Sequence, residues 1–475
     1  MIPKQSIAGL CIGALILASC TFPGGAGGQT TETPGGTAVP AKLATARQKI
    51  KHIVIIMQEN RSFDEYFGTF PGVDGIPMVD GVPTACMPDP STKLCVKPYH
   101  DSNDLNAGGP HGAVSAQSAI DGGKMDGFVA NYRIAQKACK NTTSPGCDPA
   151  ATPDVMGWHD AREIPNYWMY AKKFVIQDRM FEPVGSWSLP SHLFMLSGWS
   201  ANCTIPGDPM SCTNSINGPD TNNYAEADYA WTDITYLLHK ANVSWIYYLG
   251  EGSVADCSQE KLLCESKPQS RNMTGILSPL PGFDTVKEDG QLGNIQTVAK
   301  FFIDAKTGNL PSVSWVIPEL QVSEHPPASV SNGQAYVTSL INAIMQGPAW
   351  DSTVIFIAWD DWGGFYDHVV PPVIDENGYG LRVPAMVISP WVKKGYVDHQ
   401  TLSFDAYLKF IEDIFLDGQR LDPRTDGRAD PRPTVRENVA GLGDLLNDFD
   451  FEQNPLPALV LPERPTPGPA SIPGT

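Results

Sequence analysis

The run from Thr353 to Ala358, Thr-Val-Ile-Phe-Ile-Ala, leaves few folds open. It has no polar alternation, so it reads as a strand buried on both faces, and such strands belong to parallel sheets covered by helices. The run ends on Trp359 and two adjacent carboxylates, Asp360 and Asp361, and then on Gly363 and Gly364, which allow a sharp turn. Open α/β sheets place their ligands at the C-terminal ends of strands, and paired acids there invite a cation. An isolated Asp-Asp pair is more often a solvated turn. A second stretch of the same build shifts that balance. The apolar run Ile53 to Met57 leads into Gln58, Glu59, Asn60 and Arg61. Oxygen donors from Glu59 and Asn60 suit a hard or borderline ion, and the planar fork of Arg61 suits a phosphoryl oxygen. The plainer reading is a surface Glu59–Arg61 pair after an edge strand. About 300 residues separate the two stretches, a distance that parallel strands can close.

The rest of the chain alternates in the manner of an α/β fold. Strands are predicted at 51–57, 174–181, 243–249, 312–318, 353–358 and 382–392. Helices are predicted at 122–136, 161–174, 229–241, 294–311, 334–347 and 404–415, which implies a mostly parallel sheet with helices on both faces. In 185–198 the first half reads as a loop held by Pro190, and His192 to Gly198 as a buried helix. Neither a GxGxxG nor a GxxxxGK[ST] loop is present in the sequence, so nucleotide binding has little support. The formal charge of -19 argues against attraction to nucleic acid or anionic membrane. An anionic substrate stays possible, because a metal can dominate a site locally.

Residues 1–20 read as an export signal whose end, Leu17-Ala18-Ser19-Cys20, fits lipidation of Cys20. Residues 21–47 read as a disordered tether, 48–416 as the folded domain and 417–475 as an extended tail. Eight further cysteines fall in close pairs: Cys86 with Cys95, Cys139 with Cys147, Cys203 with Cys212, and Cys257 with Cys264. Such stapled loops suit an oxidising compartment, and the lack of CxxC argues against a structural zinc site.

A hydroxyl nucleophile would complete a metal-assisted transfer reaction, since a metal lowers the pKa of a bound hydroxyl. Ser186, Ser188 and Ser191 are candidates that spacing does not separate. His325, after the 312–318 strand, offers a third strand-end group. The segments IVIIMQENRSFDEYFG, GGKMDGFV, SWSLPSHLFMLSG, SWVIPELQVSEHPPAS, WDDWGGFYDHVVPP and RVPAMVISPW resemble the bacterial phosphoesterase family. That family contains phosphatidylcholine-type phospholipases C and certain acid phosphatases. The six blocks keep the family's order from about residue 50 to 416.

The resemblance implies an alkaline-phosphatase-like three-layer α/β sandwich. It implies hydrolysis of a phosphomonoester or phosphodiester, phospholipids among them, with a divalent metal (Ca, Zn, Mg or Mn). By motif matching it places Glu59, Asn60, Asp360, Asp361 and Ser188 on the metal and Ser188 as nucleophile. His111 and His325 become active-site histidines, as general acid or phosphate donor, with Arg61 offsetting phosphoryl charge. Two positions depart from the family pattern, Gln117 where many relatives have His, and Trp362 where many have His or Asn. No nucleic-acid or protein partner is expected, and membrane contact only through the lipid on Cys20. The competing class is a non-catalytic surface lipoprotein with a degenerate fold. A sulfatase is disfavoured by the lack of a Cys-x-Pro-x-Arg motif around 186–192. His192 reads as structural, and His159, His368 and His399 have no assigned role.

Overall fold

Eight strands form the central sheet. In chain order they are β1 (His52–Gln58), β2 (Val175–Gln177), β3 (Trp245–Leu249), β4 (Ile295–Thr297), β5 (Val313–Ile317), β6 (Thr353–Trp359), β7 (Ala385–Ile388) and β8 (Tyr396–Asp398). Their order across the sheet is β4-β3-β5-β1-β6-β7-β2-β8. Only β7 runs antiparallel to its neighbours β6 and β2; the other pairs are parallel. The structure, a computed structural model, describes residues 40–139, 145–219, 224–258 and 260–472. The export signal, Cys20 and most of the tether lie outside the described residues.

The helices are α1 (Ala41–Lys49), α2 (Phe63–Phe67), α3 (Ala113–Ile120), α4 (Phe128–Lys137), α5 (Pro165–Lys173), α6 (Ser188–Ser197), α7 (Ile234–Lys240), α8 (Asp284–Glu288), α9 (Val298–Thr307), α10 (Val330–Gln346) and α11 (Asp405–Phe415). Strands β5 and β6 are buried along their whole length, as their unbroken apolar sequences require. Each fully buried Val, Leu or Ile there is worth about 1.5–3 kcal/mol. Phe356 of β6 packs on Tyr407 and Phe410 of α11, with ring centroids 4.9 and 5.3 Å apart. Trp359 lies three positions on, hence on the other face, and packs on Tyr167 of α5 at 5.2 Å. Helix α10 joins α5 and α9, while α11 joins α1 and α6. The expected three-layer α/β sandwich is therefore present.

Several boundaries differ from the sequence reading. Residues 41–47, expected in the tether, belong to α1, where Ala46 is buried and Arg47 Nε donates to the Asp413 carbonyl at 2.7 Å. Ile295–Thr297, expected in a helix, is the edge strand beside β3. Helix α6 begins at Ser188, four residues before the expected start, with Pro190 inside its first turn. The first-turn N–H groups have no partner within the helix, so a proline there removes no bond. All four cysteine pairs form disulfides as expected. The segment after 416 lies on the domain through buried Arg432 and Arg436, the latter bonded to Asp405 and Asp375. Among the described residues no helix is long and apolar enough to cross a membrane.

Candidate active site

Strands β1 and β6 pair in register, Gln58 opposite Trp359. The two acidic stretches therefore leave the sheet side by side. Asp360 N donates to Gln58 O at 3.0 Å, and Glu59 N donates to Ser323 O at 2.9 Å, which brings in the segment after β5. Asn60 takes a left-handed conformation, φ 62°. Its N–H donates to Asp360 Oδ1 at 3.3 Å, and its Nδ2 donates to Asp361 Oδ1 and Oδ2 at 2.8 and 2.9 Å. Backbone strain of this kind is characteristic of functional sites.

The two glycines act as the sequence suggests. Gly363 has φ 63°, and a Cβ there would stand 2.4 Å from Asn60 O; Gly364 has φ 80°, and a Cβ there would stand 2.4 Å from Gly109 Cα. Gly109 N donates to Gly363 O at 2.9 Å. This close backbone approach seats the loop that carries His111.

The structure separates the three serines. Ser188 Oγ, on the first residue of α6, donates to Asp361 Oδ2 at 3.0 Å. Ser191 Oγ donates to the Asp360 carbonyl at 2.6 Å and ties the helix to the strand end. The Ser186 hydroxyl is buried without a hydrogen-bond partner.

His111 and His325 stand together, ring centroids 5.7 Å apart. His111 Nδ1 donates to Gly109 O at 2.7 Å, and its Nε2 lies 3.0 Å from Asn60 Nδ2. His325 Nδ1 donates to Pro326 O at 2.7 Å. Burial lowers the pKa of both; His325 falls to about 3, with the neighbouring His111 adding to the effect. Both are neutral imidazoles that present Nε2 as an acceptor. Either must gain a proton before it serves as an acid.

Arg61, expected to offset phosphoryl charge, sits in a buried network next to His325. Its Nη1 donates to Glu65 Oε1 at 2.6 Å and to Asn106 Oδ1 at 2.8 Å, and its Nε and Nη2 donate to Glu324 O at 3.2 and 2.7 Å. Burial leaves it no free face. His159 supports the same network, 3.2 Å from Asn106 Oδ1.

Three buried carboxylates thus converge. Glu59, Asp360 and Asp361 are each at most 1% exposed. Both oxygens of Glu59, Oδ1 of Asn60 and Oδ2 of Asp360 have no hydrogen-bond partner. Among the described residues, no lysine or arginine pairs with any of the three acids. Burial first, then the Asp360 charge, raises the pKa of Glu59 and of Asp361 well above the carboxylate range; the Ser323 hydroxyl, near Glu59 but outside hydrogen-bonding geometry, offsets a little of this for Glu59. Orphaned buried oxygens around unneutralised acids are the surroundings that a divalent cation satisfies. The residues present fit such an ion.

Two further residues stand near the site: His192, read from the sequence as structural, and Glu324, not singled out there. His192, one turn into α6, places Nε2 3.4 Å from Asp360 Oδ2, and neither ring nitrogen has a hydrogen-bond partner. Glu324 holds the backbone at His325: its carboxylate accepts from Tyr66 and Tyr167 hydroxyls at 2.6 and 2.5 Å and from Trp359 Nε1 at 3.0 Å. An acid directly before the histidine was the only signal available for it. Gln117 is exposed on α3. Trp362 is a core residue that packs edge-on to Phe128 at 5.7 Å. His368 bonds Asp64 at 2.7 Å and His399 bonds Asp178 at 2.8 Å, both in other networks.

Residues 50–416 match the Phosphoesterase family. The chain is 29% identical over 465 residues to "Non-hemolytic phospholipase C" of Burkholderia pseudomallei, covering 87% of this chain and 61% of that protein. It is 28% identical over 470 residues to the Pseudomonas aeruginosa protein of the same name, covering 89% and 61%. With "Phospholipase C B" of Mycobacterium tuberculosis it is 26% identical over 455 residues, covering 86% and 79%. The chain thus spans about three fifths of the length of the first two relatives. A solved structure of a protein in the alkaline phosphatase superfamily from Vibrio parahaemolyticus aligns at TM-score 0.36 and 11% identity, covering 83% of this chain and 79% of that one.

Proposed function

The chain belongs to the Phosphoesterase family, and from that membership we propose that it hydrolyses phosphate esters with Ser188 as nucleophile. The observation that carries this reading is the Ser188 hydroxyl, 3.0 Å from Asp361 and at the head of α6. Glu59, Asn60, Asp360 and Asp361 would hold a divalent cation, which when bound supplies Lewis-acid activation of a hydroxyl near neutral pH.

The remaining work falls to the chain's own groups. The N-terminal end of α6, which begins at Ser188, would favour the negative charge of a phosphate held beside that residue. Asp361 accepts the Ser188 hydroxyl proton in hydrogen bonding and so orients Oγ for attack. His111 and His325 are held by their Nδ1 bonds, which leave Nε2 as the acceptor, beside Asn60 Nδ2 at 3.0 Å in His111 and beside Cys257 Sγ at 3.1 Å in His325. The negative charge of a bound phosphate ester raises their pKa, and the protonated rings then donate to phosphoryl oxygens or to the leaving alkoxide. Attack gives a phosphoserine, which water cleaves to return Ser188. Burial strengthens every such interaction. Because Ser188 is only 2% exposed, a bordering segment must move to admit substrate.

The names of the relatives favour a phosphodiester such as phosphatidylcholine over a monoester. Export, through the signal and a lipid on Cys20, is part of the same proposal and is consistent with the four disulfides. The test is a substrate panel of p-nitrophenyl phosphate, its bis-ester and phosphatidylcholine, each with Ca2+, Mg2+, Mn2+ or Zn2+ added. Turnover of the phosphatidylcholine headgroup bond is expected. No turnover of any member would favour the non-catalytic lipoprotein instead.

A further inference from the structure

Beside the candidate site lies a second set of ligand atoms that a covalent bond now holds closed. Cys257 and Cys264 form a disulfide, and Cys257 Sγ lies 3.1 Å from His325 Nε2. One ligand atom from each of His111, Cys257, Cys264 and His325 falls within 4.8 Å of the others. Two thiolates and two imidazoles make a tetrahedral zinc set, in which ligand atoms stand roughly 3.3–3.8 Å apart. Once the bond between the two sulfurs is cut, they must part by about 1.7 Å, from about 2.05 Å to about 3.8 Å, and the remaining ligand atoms must close by no more than about 1 Å.

Three features favour that shift over collapse. Each histidine already donates Nδ1–H to a backbone carbonyl and leaves Nε2 as the lone pair, the arrangement that orients metal-bound imidazole. The cysteines directly flank a two-stranded ladder, Gly252–Asp256 with Glu265–Gln269, whose last pair is Asp256 with Glu265. That ladder keeps the two sulfurs adjacent when the bond between them is cut. Glu260, in the same loop, accepts from Gly112 N at 3.2 Å and Val114 N at 3.0 Å, so the loop stays tied to the chain just after His111. Two other groups of acids and histidines lack this opening. Arg382 already bonds Asp64 and Asp367 beside His368 at 3.0 and 2.9 Å, and Arg162 bonds Asp160 beside His100 and Glu163 at 2.9 Å.

We propose that reduction of the Cys257–Cys264 disulfide opens a zinc site made of Cys257, Cys264, His111 and His325. A thiol or phosphine reductant supplies two electrons, the S–S bond breaks, and each sulfur takes up one proton. Zinc then displaces both protons as the thiolates bind, and the imidazoles stay neutral. If His111 and His325 act as the phosphoesterase reading holds, the zinc-loaded protein is inactive until the disulfide re-forms. Only that consequence rests on the reading of function.

The test uses full-length wild type and C257S/C264S, both reduced with a phosphine and titrated with Zn2+ alone, with bound metal counted by elemental analysis. Reduced wild type should bind one zinc more than the double variant. Co2+ in place of Zn2+ should give thiolate charge-transfer absorption in wild type and none in the double variant. His325→Ala should weaken the added site at least tenfold. Equal zinc counts in the two reduced proteins overturn the proposal. Because reduction opens other disulfides as well, C264S is titrated without reductant. Its Cys257 thiol, His111 and His325 should bind zinc that C257S/C264S does not, and equal counts there also overturn the proposal. So does loss of the fold, by circular dichroism, in both reduced wild type and C264S, because the site must form in the folded chain. Zinc bound with turnover unchanged would keep the site and reject the catalytic roles of the two histidines.

Discussion

Replacing Glu59 with Gln should stabilise the metal-free protein at the same time as it weakens metal binding. Glu59 is buried, both its oxygens lack hydrogen bonds, and Asp360 adds repulsion. Its pKa is therefore raised in the folded state without metal. The unfolded carboxyl loses its proton near pH 4.3 (about) while the folded one keeps it. The folded state then binds more protons, so stability falls as pH rises above that value until the folded pKa is passed. The slope is at most about 1.4 kcal/mol per pH unit for one group. Between pH 5 and pH 7 the cost reaches up to about 2.7 kcal/mol. Gln carries no such cost. Urea unfolding of wild type and Glu59→Gln in chelator should therefore diverge as pH rises from 5 to 7, with the variant the more stable. A divalent cation at a hundredfold excess over its Kd should restore about 2.7 kcal/mol to wild type and less to the variant. A gap between the two proteins that does not change with pH, or a variant less stable than wild type in chelator at pH 7, would show that Glu59 is not held protonated by its burial.

Other outcomes follow from the same geometry. Arg61→Ala should cost about 3–5 kcal/mol of unfolding free energy, because it leaves Glu65 unpaired in the core; unchanged urea stability with lost turnover would return Arg61 to the phosphate. Gly363→Ala should lower turnover and metal occupancy together, because its Cβ would meet Asn60 O at 2.4 Å in a left-handed backbone; full occupancy by elemental analysis would count against this. For His368, burial works to lower the pKa, but Asp64 outweighs it and lifts the group to about 9. That stabilisation is fully present below the unfolded pKa of about 6.5 and is lost as pH rises through about 9. His368→Asn should therefore destabilise the protein at pH 6 by about 2–3 kcal/mol and much less at pH 10, as followed by thermal unfolding.

The apolar runs ending in Glu59-Asn60 and Asp360-Asp361 revealed the two central strands because neither face of those strands meets water. Their adjacency was an expectation of parallel pairing, and the register of Gln58 with Trp359 supplies it. The start of α6 was hidden by Pro190, which the sequence pattern treats as a breaker although the first turn tolerates it. The network around Arg61 was not legible because two of its partners, Glu324 O and Asn106, are distant in sequence. His192 read as core because its apolar neighbours are real; its approach to Asp360 depends on how α6 docks. The link between Cys257 and His325 spans 68 residues and leaves no local signature.

The proposed reaction begins with attack of Ser188 on phosphorus. Its most direct test is acid quenching of the protein during turnover of an ester labelled at phosphorus, followed by peptide mapping. The label should reside on Ser188, and Ser188→Ala should carry none while turnover falls by roughly three orders of magnitude or more. Label on another residue, or full activity in Ser188→Ala, would rule out Ser188 as the nucleophile.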